Sequence, residues 1–165
     1  MPGTLRPDFL PILRTLSEHR VDFILVGGVA AVVQGAPIMT FDVDVLYSTE
    51  ADNLVRLLAA VDALDGFYRL QPERRLKPQI SHLASAGHQL LMTRFGPLDL
   101  LGHVGSARTY QGMLPHTAQI NVGEGATVRV LDLETLIAVK EEIGGEKDRA
   151  VLPILRRTLE ESRWK

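Results

Sequence analysis

Residues 26–46, Val-Gly-Gly-Val-Ala-Ala-Val-Val-Gln-Gly-Ala-Pro-Ile-Met-Thr-Phe-Asp-Val-Asp-Val-Leu, constrain this chain more than any other stretch. They continue an apolar run, Phe23-Ile24-Leu25-Val26, that reads as a buried strand. Two glycines follow, then a short small-residue helix predicted over residues 29–34 and closed by Gly35 and Pro37. The chain returns as Phe41-Asp42-Val43-Asp44-Val45-Leu46, an apolar strand holding two acids. Side chains at i and i+2 of a strand share a face, so Asp42 and Asp44 project together and Val43 and Val45 project to the other side. Two like charges on one face repel and are costly to desolvate. A divalent cation is the simplest compensation, and carboxylate oxygens suit Mg²⁺ or Mn²⁺.

Gly27 and Gly28 suit the same kind of site. A strand that ends in Gly-Gly and turns into a helix presents backbone N–H groups and the positive end of a helix dipole, both favourable for a phosphate. Glycine also admits a ligand close to the backbone. A phosphate cradle and a carboxylate pair, joined by one short helix, are the parts that phosphoryl or nucleotidyl transfer needs.

The rest of the chain reads as scaffold for this element. Residues 7–19 carry Phe9, Leu10, Leu13 and Leu16 at helical spacing, with Asp8 near the start, where a carboxylate suits the dipole. Residues 21–26 are the first strand. Ser48 or Thr49 is expected to cap a helix with the stripe Leu54, Leu57, Leu58 and Val61. Residues 66–79 are polar, broken by Pro72 and Pro78, and hold the chain's basic cluster, Arg69, Arg74, Arg75 and Lys77. Such a run is either a solvated loop or an arm that contacts a polyanion, an RNA or a triphosphate. Residues 81–83 and 88–95 read as a hairpin turning at Ala86-Gly87, with His82 facing His88.

Residues 96–101, Gly-Pro-Leu-Asp-Leu-Leu, form a short apolar strand with Asp99 in its middle. That acid needs backbone donors, a partner or a metal. Residues 101–123 are glycine-rich and poorly patterned; His103, Tyr110 and His116 read as surface or packing residues, unless His103 and Tyr110 border the pocket. Residues 126–131 alternate and form a final strand. Asp132 caps a helix over residues 133–143, Gly144-Gly145 ends it, and a last helix from residue 146 should bend at Pro153.

A chain of 165 residues suits one domain, residues 1–165, with one core. Its 18 basic and 20 acidic residues give a net charge of −2, which supplies no overall electrostatic footprint for nucleic acid. There is no cysteine, so neither disulfides nor thiolate metal sites form, and no i,i+4 histidine pair suggests zinc. No apolar run is long enough to span a bilayer, and the start lacks a signal peptide's pattern. The expected location is cytoplasmic, with no membrane partner.

The stretch Gly27-Gly28 … Asp42-x-Asp44 resembles the signature of the nucleotidyltransferase superfamily, whose fold is shared with DNA polymerase β. Its tail, Gly35-x-Pro37-x-x-Thr40-x-Asp42-x-Asp44, is similar to the small bacterial branch that includes abortive-infection-type toxins. The sequence departs from that branch at Ile38 and Phe41, where basic residues often stand. The paired C-terminal helices with Lys140 and the Lys147-Asp148 step resemble the same family, so the likeness covers most of the chain.

The resemblance implies an α/β fold, α+β in layout: a mixed, twisted sheet with Asp42, Asp44 and Asp99 on one face and helices on the other. It implies Asp99 as the third carboxylate, and two Mg²⁺ ions held by Asp42, Asp44 and Asp99. Asp99 would also accept the proton of the attacking hydroxyl. Gly27, Gly28 and Thr40 would bind the nucleoside triphosphate; Lys140 is either a further phosphate contact or half of a salt bridge. The acceptor would be a tRNA, a protein or a small molecule, and a toxin role would bring an antitoxin partner. Two other readings stay open. One is a catalytically weakened nucleotide-binding or regulatory module, motivated by Ile38 and Phe41. The other is an Mn²⁺-dependent glycosyltransferase, which also uses Asp-x-Asp, although the Gly-Gly turn and the short chain weigh against it.

Overall fold

The apolar run before the glycines forms β1 (Phe23–Val26), buried along its whole length. β1 pairs antiparallel with β2 (Val43–Tyr47) and parallel with β7 (Ala126–Leu131). β2 pairs in parallel with β5 (Gly96–Leu101), β5 antiparallel with β4 (His88–Thr93), and β4 with the two-residue β3 (Phe67–Tyr68). β6 (Thr117–Gly123) pairs with β7 at the other edge, completing a seven-stranded mixed sheet in the order β3-β4-β5-β2-β1-β7-β6. The computed structural model describes residues 8–164.

Strand alternation sets the layers. Val43, Val45, Leu98 and Leu100 are fully buried, while Asp44 and Asp99 face the other way. Tyr47 shares the side of Val43 and Val45, and its hydroxyl donates to the carbonyl of Leu83 in α4 (Ile80–Ala84) at 2.7 Å. α4 packs on α3 (Ala51–Ala63), and α3 on α1 (Phe9–Glu18), which buries Phe9, Ile12, Leu13 and Leu16. α2 (Gly27–Val33) leaves β1 directly. α6 (Leu133–Ile143) and α7 (Glu146–Ser162) pack against each other and meet the sheet beside Asp44, so helices also cover part of the carboxylate face. Among the described residues there are seven α-helices, α5 being the short Tyr110–Met113. None of them is long and apolar enough to cross a membrane.

Several sequence expectations are corrected. The first helix starts at Phe9; Pro7 lies outside the described residues. β2 begins at Val43, so Asp42 stands just before the strand. Residues 81–83 are helical. Gln79 and His82 form a reciprocal capping box, with the Gln79 N–H donating to His82 Nδ1 at 2.9 Å, and Leu83 is buried. β4 therefore makes its hairpin with β5, turning at Arg94-Phe95. His88 lies against His103 (centroids 4.9 Å apart), and His82 against Tyr68. The helix after β2 is entered at Glu50, whose N–H is held by Ser48 Oγ at 3.3 Å from outside the cap position. Residues 117–123, read as unpatterned, are the edge strand β6; an edge strand with one partner buries too little for strong alternation. Other local signals agree with the structure. The Asp132 carboxylate caps α6 by accepting from the Thr135 N–H at 2.8 Å, and Gly144 ends it at φ +66°. α7 runs through Pro153.

Candidate functional site

The three acids meet across two parallel strands. Asp44 on β2 stands opposite Asp99 on β5, and Asp42 lies two positions before Asp44. One carboxylate oxygen from each of Asp42, Asp44 and Asp99 lies within 4.8 Å of the others. Burial first, then the neighbouring Asp99, then Asp42, push the Asp44 carboxyl from 3.8 up to about 8, while the charge of Lys140 pulls it down. Asp44 Oδ1 is buried without a hydrogen-bond partner among the described residues. A buried acceptor without a donor is costly, and a cation would satisfy it. The hard oxygen donors fit Mg²⁺ or Mn²⁺.

The glycines are shaped by these side chains. Gly27 holds φ +70°, and a Cβ there would stand 2.2 Å from Asp44 Oδ2. A Cβ on Gly28 would stand 2.6 Å from Thr40 Oγ1. The Gly-Gly turn thus lets Asp44 and Thr40 lie directly against the start of α2. Thr40 in turn donates to the carbonyl of Asp42 at 3.4 Å, tying the loop before β2 to the site.

Lys140 of α6 is ion-paired with Asp148 of α7 at 3.1 Å, each side chain about one-fifth exposed. Both line a cavity of 170 Å³ that opens beside Gly27 and Asp44, with His103, Leu136 and Val139 among its walls. Tyr110 does not line it. Ile38 is half-buried against the core, whereas Met39 and Phe41, shortly before Asp42 in the chain, are exposed.

No protein-family model and no curated protein matches the sequence. Solved structures do. ANT(2'')-Ia, an antibiotic-resistance factor, superposes with a TM-score of 0.61 at 15% identity, over 92% of this chain and 82% of that one. The lincosamide antibiotic adenylyltransferase LnuA, bound to lincomycin, gives 0.61 at 13% identity over 93% and 98%. A candidate nucleotidyltransferase from Thermotoga maritima gives 0.62 at 15% identity over 96% and 97%. The chain has the nucleotidyltransferase fold.

Within this nucleotidyltransferase fold one charged residue of the site was not singled out from sequence. Arg69 follows β3, and its Nη1 donates to Asp99 Oδ1. Its Nη2 lies 3.9 Å from Asp42 Oδ2. It belongs to the basic cluster of residues 66–79, but its companions are engaged elsewhere. Arg74 bonds Gln71, Arg75 lies over the Phe67 ring, and Lys77 pairs with Asp62 at the surface. Only the position of Arg69, directly after the aromatic pair Phe67-Tyr68 that forms β3, hints that it joins the sheet.

Proposed function

We propose that the chain is a nucleotidyltransferase that moves a nucleoside monophosphate from a nucleoside triphosphate to a hydroxyl acceptor. The observation that carries this reading is the convergence of Asp42, Asp44 and Asp99 around a buried, unpartnered Asp44 oxygen. Asp42, Asp44 and Asp99 would hold Mg²⁺ or Mn²⁺. A divalent ion there supplies charge neutralisation for the triphosphate and its leaving pyrophosphate. The first-turn N–H groups of α2 at Gly27 and Gly28, which have no partner inside the helix, would donate to phosphate oxygens of the triphosphate. Thr40 borders that turn, and Lys140 contributes positive charge from the far wall of the cavity.

The acceptor oxygen attacks the α-phosphorus, the bond from that phosphorus to the bridging oxygen breaks, and pyrophosphate leaves. The hydroxyl proton passes to a carboxylate of the cluster, Asp99 being the one on the strand beside Asp44.

A small hydroxylated acceptor is favoured over a macromolecule. LnuA is bound to lincomycin, and a second structure of ANT(2'')-Ia, similar at a TM-score of 0.60, holds adenylyl-2''-tobramycin. Incubation with each labelled nucleoside triphosphate and Mg²⁺, against hydroxylated small molecules and against cell extract, tests the reading. Label in a small molecule is the expected result. Label in RNA or protein would move the acceptor class, towards the reading of a toxin with an antitoxin partner. No Mg²⁺-dependent label in any fraction, with nucleotide bound equally well with and without metal, would leave a nucleotide-binding module.

A further inference from the structure

Arg69 is anchored rather than adrift at the surface. Its backbone N–H donates to the carbonyl of Leu90 at 3.1 Å, and its Nη1 donates to the carbonyl of Leu91 at 3.1 Å and to Asp99 Oδ1. Nη2 reaches towards Asp42 Oδ2 at 3.9 Å, and the side chain is 22% exposed. The guanidinium is thus held by the β4 backbone while it bridges two of the three carboxylates. Among the described residues its ion pairs are with Asp42 and Asp99 and not with Asp44, whose Oδ1 is buried without a partner.

The charge balance follows. Three carboxylates and one guanidinium leave a formal charge of −2, which one divalent ion neutralises and two would overshoot. A fixed cation a few ångströms from Asp42 and Asp99 also repels a second metal ion at those same oxygens. We propose that Arg69 is a resident cation of the carboxylate cluster, so that the nucleotide-free site takes one divalent ion, on the Asp44 side, and not two. The proposal rests on reading the three acids as a metal site. Arg69 is a positioning residue here: it orients Asp99 and supplies charge that a second ion would otherwise bring. Arginine suits the task because its planar fork serves a carbonyl and two carboxylates at once, and its charge does not titrate.

The test is a titration of Mn²⁺ into the nucleotide-free, full-length protein, with free Mn²⁺ counted by electron paramagnetic resonance. The wild type should bind one ion per chain. Arg69→Met, which keeps an unbranched stem and removes the charge, should gain a second ion or bind the first at least about tenfold more tightly. Arg69→Lys, which keeps the charge, should stay within about threefold of the wild type. Two ions of similar affinity in the wild type would overturn the proposal, as would an Arg69→Met protein with unchanged count and affinity. Arg69→Lys behaving like Arg69→Met would show that packing and not charge is at work, and would overturn it too. If Arg69→Met does not fold, the wild-type count and Arg69→Lys decide. Absence of Mn²⁺ binding in every protein, wild type included, would sink the metal site itself, a result distinct from a metal site indifferent to Arg69.

Discussion

Asp44 stands directly across from Asp99 on neighbouring parallel strands, and its own Oδ1 is buried without a partner among the described residues. Such a pair is stable only if something cationic or a proton joins it. Asp44→Asn should therefore lower Mg²⁺-dependent nucleotidyl transfer by at least about a hundredfold, the scale of losing a positioned electrostatic contact. The kcat of the variant at saturating nucleotide and Mg²⁺ measures this. A loss smaller than about tenfold would remove Asp44 from the chemistry.

The same pair makes the metal-free protein pH-sensitive. The Asp44 carboxyl rises from 3.8 unfolded to about 8 folded, so between those values the folded state binds more protons than the unfolded state. Stability then falls as pH rises through this window, and the loss is complete above the folded value. Thermal midpoints of metal-free wild type should drop from about pH 5 to about pH 9. Asp44→Asn should flatten the profile, and saturating Mg²⁺ should restore stability at the alkaline end. A wild-type midpoint that climbs with pH across this range would contradict the assignment.

Gly27→Ala should be far worse than an ordinary glycine substitution. Its positive φ alone costs roughly 1–2 kcal/mol for an L-residue, and the new Cβ would stand 2.2 Å from Asp44 Oδ2. Gly125 is the control, since it has φ +79° and a Cβ there would meet nothing within 4 Å. Urea unfolding should show a loss above about 2 kcal/mol for Gly27→Ala and about 1 kcal/mol for Gly125→Ala. Mn²⁺ affinity should fall only in the former, because Asp44 is displaced there.

Asn53 offers a test of scaffold without chemistry. It is fully buried in α3, accepts from the Asp22 N–H at 2.6 Å, and donates to the carbonyls of Asp22 and Ser48 at 3.1 and 2.8 Å. Asn53→Ala leaves the Asp22 N–H and the Ser48 carbonyl unsatisfied and should cost roughly 2–4 kcal/mol. Mn²⁺ affinity of the folded fraction should not change; if it does, the entry to β1 and the exit from β2 are coupled to the site.

Lys140→Met should act on nucleotide binding. The ammonium lies in the cavity wall and already lowers the Asp44 carboxyl, so its removal weakens the local positive field. KM for the triphosphate should rise about tenfold with kcat within about threefold. Asp148→Asn, which releases Lys140 from its ion pair and keeps its charge, should leave KM at or below the wild-type value. Equal effects of the two variants would mean that the pair only joins α6 to α7.

The elements legible in the sequence were those set by a few neighbouring residues. β1, the Gly-Gly turn, the closeness of Asp42 to Asp44, and α6 between Asp132 and Gly144 each follow from near neighbours in the chain, cap chemistry or glycine's freedom at positive φ. Residues 81–83 misled because three residues cannot separate a strand from a helix turn, and the Gln79–His82 box that decides it needs the folded geometry.

Tertiary structure alone decided the rest. Asp99, expected in the site from the family resemblance and not from its own neighbours in the chain, lies beside Asp44 because β5 pairs with β2 in one register, and a shift of one residue would send Asp99 to the opposite face. Arg69, out of four cations in one polar run, reaches the carboxylates because the short β3 pins it to β4, while Arg74, Arg75 and Lys77 find partners nearby. Gly28 is needed against Thr40 and Gly27 against Asp44 only once β2 has returned beside β1. Side-chain direction and capping are decided within a turn or two of backbone, so they can be read along the chain. Strand register and the choice of which charge is buried depend on energies between segments distant in sequence, and those exist only after the sheet has formed.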